Sequence, residues 1–173
     1  MTTPPNTPAS TPTTAPGPIS NRVRRILDEH DPELLCELPS GYAILGKYQP
    51  EPVTGCCMLL PRLGEGGVVV PSPNDLDHAQ REAFFGDLVL LGDAILEVTG
   101  AERINYLVLC NQVPELHGHC VPRFADEDPE KRAQGPFEAY DFANARVGDA
   151  HGRDRRLHSE LRAALVRLLA RRG

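Results

Sequence analysis

The stretch that decides the fold runs Val113-Pro114-Glu115-Leu116-His117-Gly118-His119-Cys120-Val121-Pro122-Arg123-Phe124. Side chains two residues apart share one face of a β-strand. In a strand, Glu115, His117 and His119 would therefore point to the same side, and the residues between them to the other. A carboxylate and two imidazoles in a row on one face of a sheet indicate a binding site for a charged ligand or a catalytic site.

The chemistry of the two histidines stays open at this level. An imidazole can act as a nucleophile, as a general acid or base, or as a metal ligand. Glu115, His117 and His119 could supply part of a metal shell, although one strand cannot complete it. A structural pair of histidines is the simplest alternative.

The stretch resembles the signature of the histidine triad superfamily, His-x-His-x-His followed by apolar residues. Glu115 stands at the first histidine position, His117 at the middle one and His119 at the third. The resemblance covers about residues 33–140 and is greatest to the bacterial diadenosine polyphosphate hydrolases. It includes the segments Arg103 to Asn111, Pro122-Arg123-Phe124 and Gly135-Pro136-Phe137.

This resemblance implies a nucleotide phosphohydrolase or nucleotidyl transferase. His117 would attack the α-phosphate of a dinucleoside polyphosphate or related conjugate and form a nucleotidyl-histidine, which water or a second acceptor then resolves. His119, when protonated, would contact phosphate or the leaving group. The main-chain carbonyl at position 115 would accept the proton on the other nitrogen of His117. The covalent step requires no cofactor, although a divalent metal can arrive with the substrate.

The resemblance also implies a set of substrate-binding residues. Asn111 and Gln112 fall where the superfamily contacts phosphate and the leaving group, and both side-chain amides can donate hydrogen bonds. Asn105 matches a nucleotide-contacting position on the preceding strand. Gln49 could replace the acidic residue that holds the ribose. Arg123 is either a counter-charge to phosphate or a salt-bridge residue at the end of the strand.

Glu115 departs from the signature and leaves alternatives open. A carboxylate beside an imidazole favours the imidazolium form, which cannot attack phosphorus. Glu115 could instead turn away and hydrogen-bond elsewhere, leaving activity intact. A nucleotide-binding protein with weak or no turnover is therefore the alternative function, and a metal-binding protein is a third.

Composition limits the remaining possibilities. With 173 residues the chain predicts one domain at 21–173, after a disordered Pro/Thr-rich tail at 1–20. A net charge of −6 argues against a nucleic-acid surface. Five cysteines without C-x-x-C spacing predict free thiols. No membrane span or signal peptide is evident, so a cytoplasmic location is expected.

Periodicity predicts an α+β fold with an antiparallel sheet, and the resemblance implies that this sheet is a meander with a long central helix and a C-terminal helix. The expected helices are 21–30, a long one over 75–98 with Asn74 as N-cap and Gly100 at its end, and a C-terminal one over 153–171. Strands are expected at 34–38, 42–45, 57–61, 104–110 and 117–124, with 68–70 as a strand or extended connection. The resemblance implies a homodimer formed through the central helix and a strand.

Overall fold

The computed structural model describes residues 15–172, so most of the predicted tail, residues 1–14, lies outside the described residues. The first helix, α1 (Pro18–Leu27), begins at Pro18 rather than at the expected Asn21. Ile19 and Ser20, which the prediction assigned to the tail, are buried. Proline is favoured in the first turn of a helix, where its missing N–H has no intrahelical partner to lose. The sequence-based prediction counted Pro18 as part of the Pro/Thr-rich tail and so placed the start of the helix too late.

Within residues 15–172, seven short strands form the sheets. They are β1 (Leu34–Leu38), β2 (Gly41–Leu45), β3 (Tyr48–Gln49), β4 (Cys57–Pro61), β5 (Arg103–Leu107), β6 (Gly118–Arg123) and β7 (Arg146–Val147). Five form an antiparallel sheet in the order β1-β2-β4-β6-β5, and β3 pairs with β7. The predicted hairpin and the strand at 57–61 are confirmed, whereas 68–70 is an extended connection. The sheet departs from a simple meander because β5 takes the outer edge and β6 returns between β4 and β5.

Four further α-helices follow in the part of the chain that the structure describes. They are α2 (His78–Thr99), α3 (Pro129–Arg132), α4 (Pro136–Ala139) and α5 (Arg155–Arg172). The long central helix α2 is capped by Asp77, not by Asn74, because Asp77 and Gln80 bond each other's backbone in a capping box. Asn74 lies in a preceding 3-10 turn. As predicted, Gly100 follows α2 in the left-handed conformation. None of the helices in residues 15–172 is long and apolar enough to span a membrane.

The two faces of the sheet are covered differently. Helices α2 and α5 pack on one face and bury the main apolar core. A smaller cluster of Val53, Cys56, Val121 and Tyr140 covers part of the other face. Successive side chains of β6 therefore point alternately into the main core under α2 and α5 and towards the smaller cluster on the other face. His119 points to the face of the smaller cluster.

The cysteines are free thiols, as predicted. Burial raises the pKa of Cys56 to about 12, and it raises the pKa of Cys57 and Cys120 well above the ordinary thiol value. Thiols with raised pKa values carry little thiolate at neutral pH. These three cysteines therefore pack as small apolar residues.

Candidate active site

His117 and His119 lie side by side at the start of β6. Their ring centroids are 4.9 Å apart and the rings are nearly perpendicular, at 76°. The Gly118 between them has a steric role, because a Cβ there would lie 2.6 Å from Leu88 Cδ1 of α2. Glycine thus lets the strand approach the central helix closely and brings both imidazoles onto the opposite, thinly covered face.

The ring of His117 is oriented by the backbone. Its Nδ1 lies 2.8 Å from the main-chain oxygen of Glu115, and the side chain is only 7% exposed. A carbonyl oxygen can only accept, so this bond requires the proton on Nδ1. In the neutral ring Nε2 is then unprotonated and carries the lone pair needed for nucleophilic attack.

The carboxylate of Glu115 is turned onto the first turn of α1. It accepts hydrogen bonds from the backbone N–H groups of Gly17 (3.2 Å), Ile19 (2.8 Å) and Ser20 (3.1 Å), and from the Ser20 hydroxyl. Of the two alternatives that the sequence left open, the geometry matches the one in which Glu115 hydrogen-bonds elsewhere. Its side chain and its backbone therefore act on different partners.

His119 stands in an apolar setting. Phe137 packs against its ring edge-to-face with centroids 5.5 Å apart, Phe142 packs against Phe137, and Leu107 of β5 is its partner in the sheet. Burial, and to a smaller degree the neighbouring His117, lower the pKa of His119 to about 4. In the free protein His119 is thus neutral at pH 7.

Asn111 and Gln112 lie in the exposed loop between β5 and β6, a few residues before Glu115. The side-chain oxygen of Asn111 accepts from the backbone N–H of Gln112 at 3.0 Å. The preceding Cys110 has a left-handed backbone with φ of 54°, uncommon for a residue with a side chain. The loop exposes both side-chain amides, and Asn111 and Gln112 remain predicted phosphate contacts.

Arg123 is a buried structural residue rather than a counter-charge to phosphate. Its guanidinium binds both carboxylate oxygens of Glu127, the side-chain oxygen of Asn105 and the carbonyl oxygens of Lys131 and Gln134. The side chains of Arg123 and Glu127 are 3% and 0% exposed. The sequence could not show this, because every partner lies outside the strand that carries Arg123.

Asn105 is held by the same arginine. Its side-chain oxygen accepts from Arg123 at 2.8 Å, which leaves the NH₂ group to face other partners. Asn105 lines a cavity of about 820 Å³ together with Arg103 and residues of the 125–136 segment. Neither His117 nor His119 lines this cavity, so Asn105 is a structural partner of Arg123 and its contact with a substrate stays a prediction.

Gln49 does not serve a ribose in this structure, so that prediction needs correction. The residue is fully buried and its amide closes the loop between β3 and β4. Nε2 donates to the carbonyl oxygens of Gly46 and Cys56, and Oε1 accepts from the N–H groups of Gly55 and Cys56. All its hydrogen-bonding groups are occupied by backbone.

A metal centre at the histidines finds no support in residues 15–172. The carboxylate of Glu115 is engaged by α1, and the described part of the chain holds no group of three or more His, Cys, Asp or Glu side chains placed to bind an ion. Two histidines near the C-terminal helix lie outside this site: His151 is exposed, and Nε2 of the half-buried His158 lies 3.0 Å from the carbonyl oxygen of Leu34.

No protein-family model and no curated protein matches this sequence. Solved structures do. A histidine triad protein from Bradyrhizobium japonicum is 20% identical with a TM-score of 0.61, the match covering 76% of this chain and 89% of that one. A hypothetical histidine triad nucleotide-binding protein from Sulfolobus tokodaii is 17% identical with a TM-score of 0.62, covering 86% and 93%.

The chain has the histidine triad fold. A zinc-bound histidine triad family protein from Mycobacterium smegmatis shares it, with 17% identity, a TM-score of 0.58 and coverage of 84% of this chain and 93% of that one. The histidine triad fold places β6 beside β4 here, so that His119 pairs with Met58 on one side and Leu107 on the other.

Sequence reasoning missed Gly17 and Ser20, whose groups hold the Glu115 carboxylate. A signal for them was present, since Gly17-Pro18 followed by Ile19, Val23 and Ile26 reads as a helix start and an apolar stripe. The Pro/Thr-rich composition of the preceding residues led the sequence-based prediction to place this helix start within the tail. Phe137 was noted only for its sequence resemblance, and its contact with His119 emerges from the fold.

Proposed function

We propose that this chain is a nucleotidyl hydrolase or transferase in which His117 is the covalent nucleophile. The substrate class is a dinucleoside polyphosphate or a related nucleotide conjugate. The observation that carries the proposal is the 2.8 Å bond between His117 Nδ1 and the carbonyl oxygen of Glu115. This bond leaves Nε2 free to attack, and nucleophilic catalysis divides one difficult displacement into two easier ones.

In the first step, Nε2 of His117 attacks the α-phosphorus and forms a P–N bond. The P–O bond to the rest of the conjugate breaks, and the departing oxygen takes the electron pair. In the second step, the oxygen of water or of another acceptor attacks the same phosphorus, the P–N bond breaks, and the proton of the attacking group passes to His119 or to solvent. Nε2 regains its lone pair, while the proton on Nδ1 remains shared with the backbone carbonyl throughout.

His119 supplies a proton or a hydrogen bond to the phosphate or the leaving group. The low pKa of His119 in the free protein follows from burial and from His117. A bound polyphosphate adds negative charge, which favours the charged imidazolium. Substrate binding would thus favour protonation of His119, which then donates to the phosphate or to the leaving group.

The amides of Asn111, Gln112 and Asn105 hold the phosphate and the adjoining part of the conjugate. Phe137 limits the access of water to His119. A divalent metal would enter with the polyphosphate, whose oxygens are hard ligands.

The deciding experiment is intact-mass spectrometry after brief mixing with diadenosine polyphosphates or adenosine 5′-phosphoramidate. We expect an added nucleotidyl mass or product release in the wild type and neither in His117→Ala. His78→Ala is the matched control, because His78 is exposed at the start of α2 with a side chain 86% accessible. It should behave as the wild type.

A nucleotide-binding protein without turnover is the second candidate, and Glu115 at the first histidine position is the observation that favours it. Nucleotide binding by calorimetry, with no adduct and no product from the wild type, would establish this alternative and reject covalent catalysis. Equal adduct formation in His117→Ala would show that another residue is the nucleophile.

A further inference from the structure

We propose that Glu115 is a positioning residue for His117 and that the N-terminus of α1 holds it in place, taking over the support that a first histidine would give. The catalytic part of this inference rests on the proposed function. Its structural part concerns the proton on His117 and can be tested without turnover.

Glu115 acts as the N-terminal cap of α1 from a distant part of the chain. The N-cap residue of this helix is Gly17, which has no side chain to accept the first backbone N–H groups. Those groups lack intrahelical partners in any helix and need an acceptor when they are buried. The Glu115 carboxylate accepts from Gly17, Ile19 and Ser20, and negative charge is favoured at this end of a helix.

The segment around Glu115 is also fixed from its other side. The Ser20 hydroxyl donates to the carboxylate and accepts from the backbone N–H of Val69 at 2.9 Å. The next residue along, Val70, accepts at its carbonyl from the backbone N–H of Leu116 at 2.7 Å. Helix α1, the 69–70 connection and the 115–116 backbone thus form one closed hydrogen-bonded unit.

The same residue that closes this unit orients the nucleophile. The Glu115 carboxylate is bound to α1, while its main-chain oxygen receives the proton of His117 Nδ1. A displacement of Glu115 would move that oxygen and release His117 to the other tautomer, in which Nε2 carries the proton. Small misplacements of reacting groups cost rate steeply.

Gly17 provides a sharp test of the contact. Its φ of −82° and ψ of −171° suit alanine, but a methyl group there would overlap the Glu115 carboxylate. Gly64 is the matched control. It is also an N-cap glycine, with φ of −88° and ψ of −158°, and the atom nearest to an added Cβ is Val68 O at 3.5 Å.

The experiment compares Gly17→Ala, Glu115→Gln, Glu115→His and Gly64→Ala with the wild type. Ring nitrogen NMR reads the tautomer of His117, and steady-state kinetics with a diadenosine polyphosphate separates kcat from KM. For Gly17→Ala and Glu115→Gln we expect a partial shift of the His117 proton to Nε2. We also expect kcat to fall by about 10- to 100-fold while KM changes by less than about threefold. Gly64→Ala should match the wild type in both readouts.

Glu115→His discriminates most strongly, because it recreates the three-histidine signature. We expect its kcat to be below that of the wild type, since one imidazole cannot accept from the donors that the carboxylate serves. A kcat above the wild type would overturn the proposal. So would variants that melt at lower temperature yet keep the Nδ1 proton and the wild-type kcat, because Glu115 would then be purely structural.

If these variants fail to fold, Ser20→Ala is measured in the same way; it removes one donor to the Glu115 carboxylate and the acceptor of the Val69 N–H, and it keeps the backbone donors of α1. It should give a smaller shift in the same direction, and no shift would overturn the proposal. A wild type that turns over no nucleotide, with the tautomer still shifting in Gly17→Ala, would reject the proposed function and retain the positioning role.

Discussion

At the scale of single residues, the buried His119 links protein stability to pH. An unfolded chain protonates histidine near pH 6.5, whereas the folded protein does so only near pH 4. Between these values the unfolded state binds more protons, so stability declines as the pH falls from about 6.5 to about 4.

We predict that the wild type loses about 2–3 kcal/mol more of its unfolding free energy than His119→Gln over this range. Urea unfolding at pH 7 and at pH 4.5 measures the difference. His158, whose pKa is also lowered by burial, is common to both proteins and cancels. Parallel losses in the two proteins would contradict the prediction.

The Arg123–Glu127 pair gives a second prediction for single residues. Arg123→Met leaves the Glu127 carboxylate buried without its main partner, and breaking a buried ion pair on one side costs about 3–5 kcal/mol. Chemical denaturation should show that loss. Arg156→Met is the control, because Arg156 and Glu160 form an exposed pair on α5 whose removal should cost less than about 1 kcal/mol. Similar costs at both positions would disprove the structural role of Arg123.

At the scale of elements, one buried side chain stabilises the loop that joins β3 to β4. Gln49→Met keeps the bulk of the side chain but removes its bonds to the backbone of Gly46, Gly55 and Cys56. We expect a loss of about 2–4 kcal/mol in unfolding free energy, because buried backbone groups lose their partners. Hydrogen exchange at the backbone N–H groups of Gly55 and Cys56 should accelerate. The control Gln134→Met, at an exposed position, should change neither the unfolding free energy nor this exchange. Unchanged exchange in Gln49→Met would contradict the stabilising role of Gln49 in the loop.

At the scale of the whole molecule, exposed apolar side chains lie on the two elements through which the resemblance implies dimerisation. Phe85 and Val89 of α2 are 42% and 50% exposed, and Tyr106 of the edge strand β5 is 42% exposed. An unpaired strand edge beside apolar side chains favours association. We therefore propose a homodimer through α2 and β5.

Light scattering coupled to size exclusion should give twice the chain mass for the wild type and the chain mass for Val89→Glu. The matched control is Val166→Glu, since Val166 is 55% exposed on α5, which is neither of the two elements of the proposed interface. It should remain dimeric. A monomeric wild type at micromolar concentration would reject the dimer.

Much of the fold could be predicted because it depends on local patterns. The strand at 57–61 and the hairpin around Ser40 follow from short apolar runs bounded by turn residues, and α2 follows from its long apolar stripe. The boundaries were less predictable. Helix α1 begins at Pro18 because its first turn is completed by a distant acceptor, and α2 begins after Asp77 because Asp77 and Gln80 cap each other better than Asn74 could alone.

By itself, the sequence determined the two histidines on one face and the α+β pattern, since each depends on neighbours within a few residues, and the resemblance implied the backbone acceptor at position 115. Only the tertiary structure decided which hydrogen-bond partners the buried polar side chains have. The Glu115 carboxylate accepts from the N–H of Ile19 across 96 residues of chain. Arg123 binds the Glu127 carboxylate and backbone carbonyl oxygens, and Gln49 binds backbone groups of its own loop. A buried polar group takes whichever partners the packed fold brings to it, and residue spacing alone does not contain that information.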